Sequence, residues 1–87
     1  MVYRIELTPA AKRDLVPIPK KDLKRVDAHI LALAKNPRPP GVKALTGKEG
    51  FLRVRVGDYR IIYQIRDDIL LVLVVRIRHR RDVYRGL

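Results

Sequence analysis

Residues 53–60, Arg-Val-Arg-Val-Gly-Asp-Tyr-Arg, restrict the fold more tightly than any other stretch of the chain. Apolar and polar residues alternate from Phe51 to Val56 and again from Tyr59 to Ile65, the period of two expected of strands that bury one face. Gly57-Asp58 between them reads as a two-residue hairpin loop, because glycine accepts the positive φ that the favoured turns demand. Such a loop sets a register: Val56 faces Tyr59, Arg55 faces Arg60, Val54 faces Ile61 and Arg53 faces Ile62. Leu52, Val54, Val56, Tyr59, Ile61 and Tyr63 then share one face, and Arg53, Arg55 and Arg60 share the other. Like charges directly across an antiparallel pair are destabilising, so folding alone does not favour this arrangement. Arginine stems lying over apolar surface account for any one of these residues. Three at converging positions point instead to an anion over the face.

The rest of the chain frames that hairpin. Val2–Leu7 alternates with Tyr3, Ile5 and Leu7 on one side and reads as a first strand. Thr8-Pro9 is an N-cap followed by a first helical residue, so a short helix is expected to about Val16, where Pro17-Ile18-Pro19 breaks it. A second helix is expected from near Pro19 to near Lys35-Asn36, with Leu23, Val26, Ile30, Leu33 and Ala34 forming one apolar stripe. Asn36–Gly50, rich in proline and glycine, is the longest connection. Asp67-Asp68 marks a further turn, and Ile69–Ile77 is apolar on both faces, as in a strand covered on both sides. A basic tail, Arg78–Leu87, follows, with a short helical turn expected in it. The expected order is β-α-α-β-β-β plus that tail. Over residues 1–87 this makes a single α+β domain, a helical hairpin packed on one face of a small antiparallel sheet.

Charge narrows the partners. Twenty Lys and Arg against nine Asp and Glu leave a formal net charge of +11, which suits a polyanion, nucleic acid ahead of a membrane surface. No lysine follows Lys48, whereas the last 37 residues hold nine arginines. The guanidinium fork grips phosphate bidentately and stays charged, so this half of the chain suits phosphate recognition. Without cysteine there is no disulfide or thiolate site, which fits the cytoplasm. The N-terminus has no signal-peptide pattern, and the longest apolar run, Ile69–Val75, is far too short to span a bilayer.

The inventory of reactive groups is short. There is no serine, no glycine-rich phosphate loop, no metal-ligand spacing, and no sign of a cofactor. RNA cleavage without metal needs an activated 2′-hydroxyl, cations over the phosphorane, and a proton for the leaving 5′-oxygen. The arginine face meets the second need, and His79 and Tyr84 are candidates for the third. Lys43, Glu49 or His79 is left for the first, unless positioning alone carries most of the rate.

The segments GFLRVRVGDYRIIYQI and LLVLVVRIRHRRDVYR, with the Asp-Asp turn between them and TPAAKRDL and KALTG upstream, together resemble the RelE branch of the RelE/ParE toxin superfamily. The resemblance implies a toxin of a type II toxin-antitoxin pair. Such a toxin is an endoribonuclease that cuts mRNA in the ribosomal decoding site, is neutralised by a RelB-like antitoxin, and meets operator DNA only through the antitoxin complex. Carried over by position, it implies catalytic roles for Arg53, Arg55, Arg60, His79, Arg80, Arg81 and Tyr84. Lys43, Lys48, Arg78 and Arg85 are the further RNA-contacting candidates. Two departures from the family pattern stand out: the best-known members carry lysines where this chain has Arg53 and Arg55, and many relatives have glycine where it has Arg78. The ParE branch, which poisons DNA gyrase on the same fold, and a basic binding module without catalysis are the competing readings.

Overall fold

The computed structural model describes residues 2–82. Five strands and two helices follow one another as β1 (Arg4–Leu7), α1 (Pro9–Leu15), α2 (Lys20–Ala32), β2 (Lys43–Ala44), β3 (Leu52–Val56), β4 (Tyr59–Arg66) and β5 (Leu71–His79). Single 3-10 turns occupy Asp67–Ile69 and Arg80–Asp82. Both helices begin where local chemistry dictates. Thr8 accepts the Ala11 amide at 3.1 Å as N-cap of α1, and Pro19, lacking an N–H, precedes α2. The helical turn after α2 tightens through Leu33–Asn36, so the expected end near Asn36 falls beyond the regular helix.

The hairpin register is the one the loop dictates: Val56 pairs with Tyr59, Arg55 with Arg60, Val54 with Ile61 and Arg53 with Ile62. Gly57 takes φ +58°, in the left-handed region. One face of the sheet carries Val54, Val56, Ile61, Tyr63, Val72, Val74 and Ile77 into a core completed by Ala11, Ile18, Val26, Ile30 and Leu33 from the helical side. At roughly 25 cal/mol per Å² of apolar surface removed from water, this single layer is the main source of stability. Tyr63 is fully buried there, and its hydroxyl donates to the Pro37 carbonyl at 2.7 Å, tying the long connection to the core.

Three expectations are corrected. The sheet is mixed, in the order β1-β5-β4-β3-β2: β1 lies parallel to β5, while the other pairings are antiparallel. Alternation within a strand carries no information about the direction of its neighbour. The helical pair lifts the chain from β1 at one edge to β2 at the other, and β5 returns beside β1. Secondly, the long connection contains β2, whose Lys43 and Ala44 pair with Arg53 and Leu52.

The third correction concerns the apolar run into β5. Ile69 lies in the 3-10 turn, half exposed, and Leu70 follows at φ +50°. On the face away from the core, Ile62 and Leu71 are nonetheless buried. Ile62 is flanked by Arg53 and Arg76, and Leu71 by Arg4 and Arg66. Aliphatic arginine stems on both sides account for their burial without a second layer.

A bulge interrupts β5. Ile62 pairs with Arg76 and Tyr63 with Val74, so Val75 has no partner. Helix α1 holds this place from the side, where β1 has ended. The Thr8 hydroxyl donates to the Val75 carbonyl at 2.7 Å, and Asp14 accepts the Ile77 amide at 2.9 Å.

Candidate nucleic-acid interface

Pairing across three strands lines up Arg55, Arg60 and Arg78 in one row. The next row, across four strands, is Lys43, Arg53, Ile62 and Arg76. Alternate residues on a strand stand about 7 Å apart and neighbouring strands about 5 Å, so the two rows form one cationic patch. Lys43, Arg53, Arg55 and Arg60 line a concave pocket of about 370 Å³, with Gly41 and Val54 completing its wall. Arg55 is exposed, whereas Arg53 and Arg60 are half-buried. Gly41 brings the long connection over this edge at φ +88°, a conformation that suits glycine.

The second row is partly neutralised. Arg76 donates from Nε and Nη2 to Asp14 at 2.8 and 3.1 Å, and both side chains are less than one-third exposed. Arg76 therefore anchors α1 to the sheet, while the charge lining the pocket comes from Lys43, Arg53, Arg55 and Arg60.

The end of β5 divides the remaining candidates. His79 pairs with Tyr59 and meets it edge-on, ring centres 5.1 Å apart at 86°. Alternation thus places His79 on the opposite face from Arg60 and Arg78, and the structure does not bring it onto the arginine patch. Its Nδ1 accepts the Arg81 amide at 3.1 Å, so the neutral ring carries its proton on Nε2. Burial, then the charges of Asp22 and Asp58, push the Tyr59 hydroxyl up from its ordinary pKa. Arg80 reaches back to the hairpin: its amide donates to the Asp58 carbonyl at 2.7 Å, and Nη1 stands 3.6 Å from Asp58 Oδ1. Arg81 is exposed beside it. Lys48 and Glu49 are exposed in the turn after β2 and do not line the pocket. Tyr84 and Arg85 lie outside the described residues.

The contribution of Arg76, and the placement of the candidate Lys43, escaped the sequence reading. Lys43 enters the pocket because β2 pairs with β3, and a two-residue strand in a proline-rich stretch leaves almost no periodic signal. Arg76 joins the outer face through the bulge, which alternation alone does not reveal. Among the described residues, no three His, Cys, Asp or Glu side chains come together in a way that could hold a metal ion.

Comparison with known proteins extends over nearly the whole chain. Residues 5–84 match the family described as ParE toxin of type II toxin-antitoxin system, parDE. Toxin RelG of Mycobacterium tuberculosis is 33% identical over 86 residues, covering 98% of this chain and 99% of that protein. Toxin RelE of the same organism is 32% identical over 84 residues, covering 95% and 87%. Among solved structures, the toxin-antitoxin complex RelBE2 from M. tuberculosis aligns with a TM-score of 0.80 at 30% identity, over 91% of this chain and 99% of that one. The archaeal RelE-RelB complex from Pyrococcus horikoshii aligns with a TM-score of 0.80 at 25% identity, over 99% and 100%.

Proposed function

As a member of the RelE branch of the RelE/ParE superfamily of type II toxins, this chain, we propose, is an endoribonuclease that cuts mRNA in the ribosomal decoding site. The observation that carries the reading is the pocket lined by Lys43, Arg53, Arg55 and Arg60. A gyrase poison has no need for cations converging on one concave pocket, whereas phosphoryl chemistry does.

The chemistry follows from what those groups can do. Arginine does not act as a base, and among the described residues lining the pocket Lys43 is the side chain chemically able to serve as one. We assign Lys43, as the amine, to take the proton of the 2′-hydroxyl. The 2′-oxygen then attacks the adjacent phosphorus, and Arg53, Arg55 and Arg60 hold the non-bridging oxygens as charge builds on the phosphorane. The bond to the 5′-oxygen breaks, leaving a 2′,3′-cyclic phosphate. That oxygen takes its proton from the segment after β5, for which the sequence supplies Tyr84. Positioning of the 2′-oxygen in line with the leaving group supplies much of the rate, and the ribosome is the scaffold that presents the strand. No step is routed through a metal.

A RelB-like antitoxin is the proposed partner, supported by the complexes in which structural relatives with at least 25% identity occur. The exposed cationic patch of a chain with net charge +11 suits an acidic antitoxin segment, and operator DNA is met through that complex. The protein acts in the cytoplasm, where its substrate is.

Primer extension on mRNA from translating ribosomes, mixed with purified protein, tests the reading. Cuts within decoding-site codons that disappear in both Arg60→Ala and Lys43→Ala are expected. The matched family carries the ParE name, so gyrase poisoning is the second reading. Folded protein that leaves mRNA intact and blocks gyrase supercoiling would replace the first reading with it.

A further inference from the structure

A second pocket, of about 280 Å³, opens beside the end of β5, bordered by Arg78. Ile18 and Ile77, both nearly inaccessible, form its apolar floor. Tyr59 and His79 form an aromatic wall, Arg13 and Arg78 bring positive charge to it, and Pro17 and Asp14, whose carboxylate is bonded to Arg76, complete the lining. Single-stranded RNA is held elsewhere in biology by this combination: bases stack on aromatic rings and guanidinium groups take the phosphates. The volume lies near the lower limit of small-molecule sites, about 300 Å³, which suits one base better than a larger ligand.

Three details direct the choice of occupant. The Tyr59 and His79 rings stand edge-to-face at 5.1 Å, so each braces the other in the pocket wall. His79 Nδ1 is taken by the Arg81 amide, so Nε2–H is the atom left to donate to an acceptor on the base edge. Arg78, which borders this pocket, is also the register partner of Arg60. Arg78 therefore links the border of this pocket to the arginine patch.

We propose that this pocket is a second nucleotide subsite, holding an unpaired RNA base against Tyr59 and His79 and an adjacent phosphate at Arg13, next to the nucleotide bound at the arginine patch. The inference rests on the nuclease reading for the identity of the strand, and it gives His79 a binding role. In a longer oligonucleotide, occupation of this subsite adds about tenfold to affinity, the scale of one base-aromatic stack.

The test uses the full-length protein and oligonucleotides of two to eight nucleotides, 2′-deoxy at every position so that they are not cut, each with one 2-aminopurine. Wild type should bind more tightly once the strand exceeds the length that covers the arginine patch, with quenching of the 2-aminopurine at the added position. Arg13→Glu and His79→Ala should each abolish that gain and that quenching while leaving the shortest oligonucleotides unaffected. Lys12→Glu, the same charge change one residue away at an exposed position, should leave the gain intact. Gains that persist in Arg13→Glu and His79→Ala, or that vanish equally in Lys12→Glu, overturn the subsite, as does a wild type that binds no oligonucleotide. The nuclease reading stands or falls separately on primer extension: cuts with an unchanged length series remove the subsite alone, and a subsite without cuts removes the nuclease alone.

Discussion

Asp14 of α1 and Arg76 of β5 are joined by two hydrogen bonds, at 2.8 and 3.1 Å, and the same carboxylate accepts the Ile77 amide. One side chain thus fastens the helix to the strand just past the bulge. Losing it removes the carboxylate to which a half-buried guanidinium and a strand amide both donate, so Asp14→Ala should cost about 2 kcal/mol. For a domain of this size that lowers the melting temperature by roughly 8–15 °C. Asp14→Asn keeps an acceptor for Ile77 and should lose less. Thermal unfolding followed by circular dichroism checks both, and an Asp14→Ala protein that melts with wild type would show that the pair contributes nothing net.

Arg55 opposite Arg60 is a like-charge pair that folding does not favour. Arg55→Thr places a good strand former at an exposed site and should raise stability by about 0.5 kcal/mol at low salt. Screening should erase most of that gain near 1 M salt, where the Debye length is about 3 Å. Urea titrations at both salt concentrations measure it. Cleavage in the decoding site should fall in the same variant, and a variant that is both less stable and fully active would contradict the assignment of this pair to a ligand.

Tyr63 contributes to the loss of stability at alkaline pH. Burial pushes its hydroxyl up to about 12, against an ordinary value near 10. A group whose pKa is raised by folding contributes its stability below the unfolded value and loses it as pH climbs through the folded one. Stability should therefore decline between about pH 10 and pH 12. Tyr63→Phe should be less stable at neutral pH, having lost the bond to Pro37, but should lack this part of the decline. Chemical denaturation at stepped pH distinguishes the two curves.

Asp67 acts at the acid end. Arg38, at 2.9 Å, and the Tyr3 hydroxyl both donate to its carboxylate and hold it below the usual aspartate range. Its contribution is present above the unfolded value near 4 and is lost as pH falls through the lower folded value. Wild type should exceed Asp67→Asn in stability at neutral pH, with the difference shrinking as the solution is acidified below about pH 4. A difference independent of pH would rule out the charge as its source. The Tyr3 hydroxyl, pushed up chiefly by its bond to Asp67, belongs to the same cluster joining β1, the long connection and the turn before β5.

Gly57 supports the hairpin through its positive φ. A Cβ there would stand 3.4 Å from the Arg25 guanidinium, the flexible end of a side chain, so the backbone sets the penalty. Gly57→Ala should destabilise by about 1 kcal/mol and Gly57→Asn by less, since asparagine tolerates the left-handed region. Urea midpoints for the two variants give the comparison, and equal stability of Ala and wild type would be incompatible with this turn.

The hairpin and its register were legible in the chain itself, because a two-residue turn and a period of two are local. Once Gly57-Asp58 closes the loop, every partner from Val56/Tyr59 to Leu52/Tyr63 follows. The helices were legible for the same reason, through Thr8-Pro9 at one start and the spacing of Val26, Ile30 and Leu33. The parallel placement of β1, the entry of Lys43 into the pocket and the separation of His79 from Arg78 were not. Each depends on groups far apart in sequence: Lys43 on Arg53 across the β2–β3 pairing, and β5 on α1 through Thr8 to Val75 and Asp14 to Ile77. The bulge at Val75 adds one residue to the alternation and so reverses the face of everything after it. Sequence alone thus determined that arginines share a face. The tertiary packing of α1 against β5 decided that Arg78 joins them and that His79 turns to Tyr59.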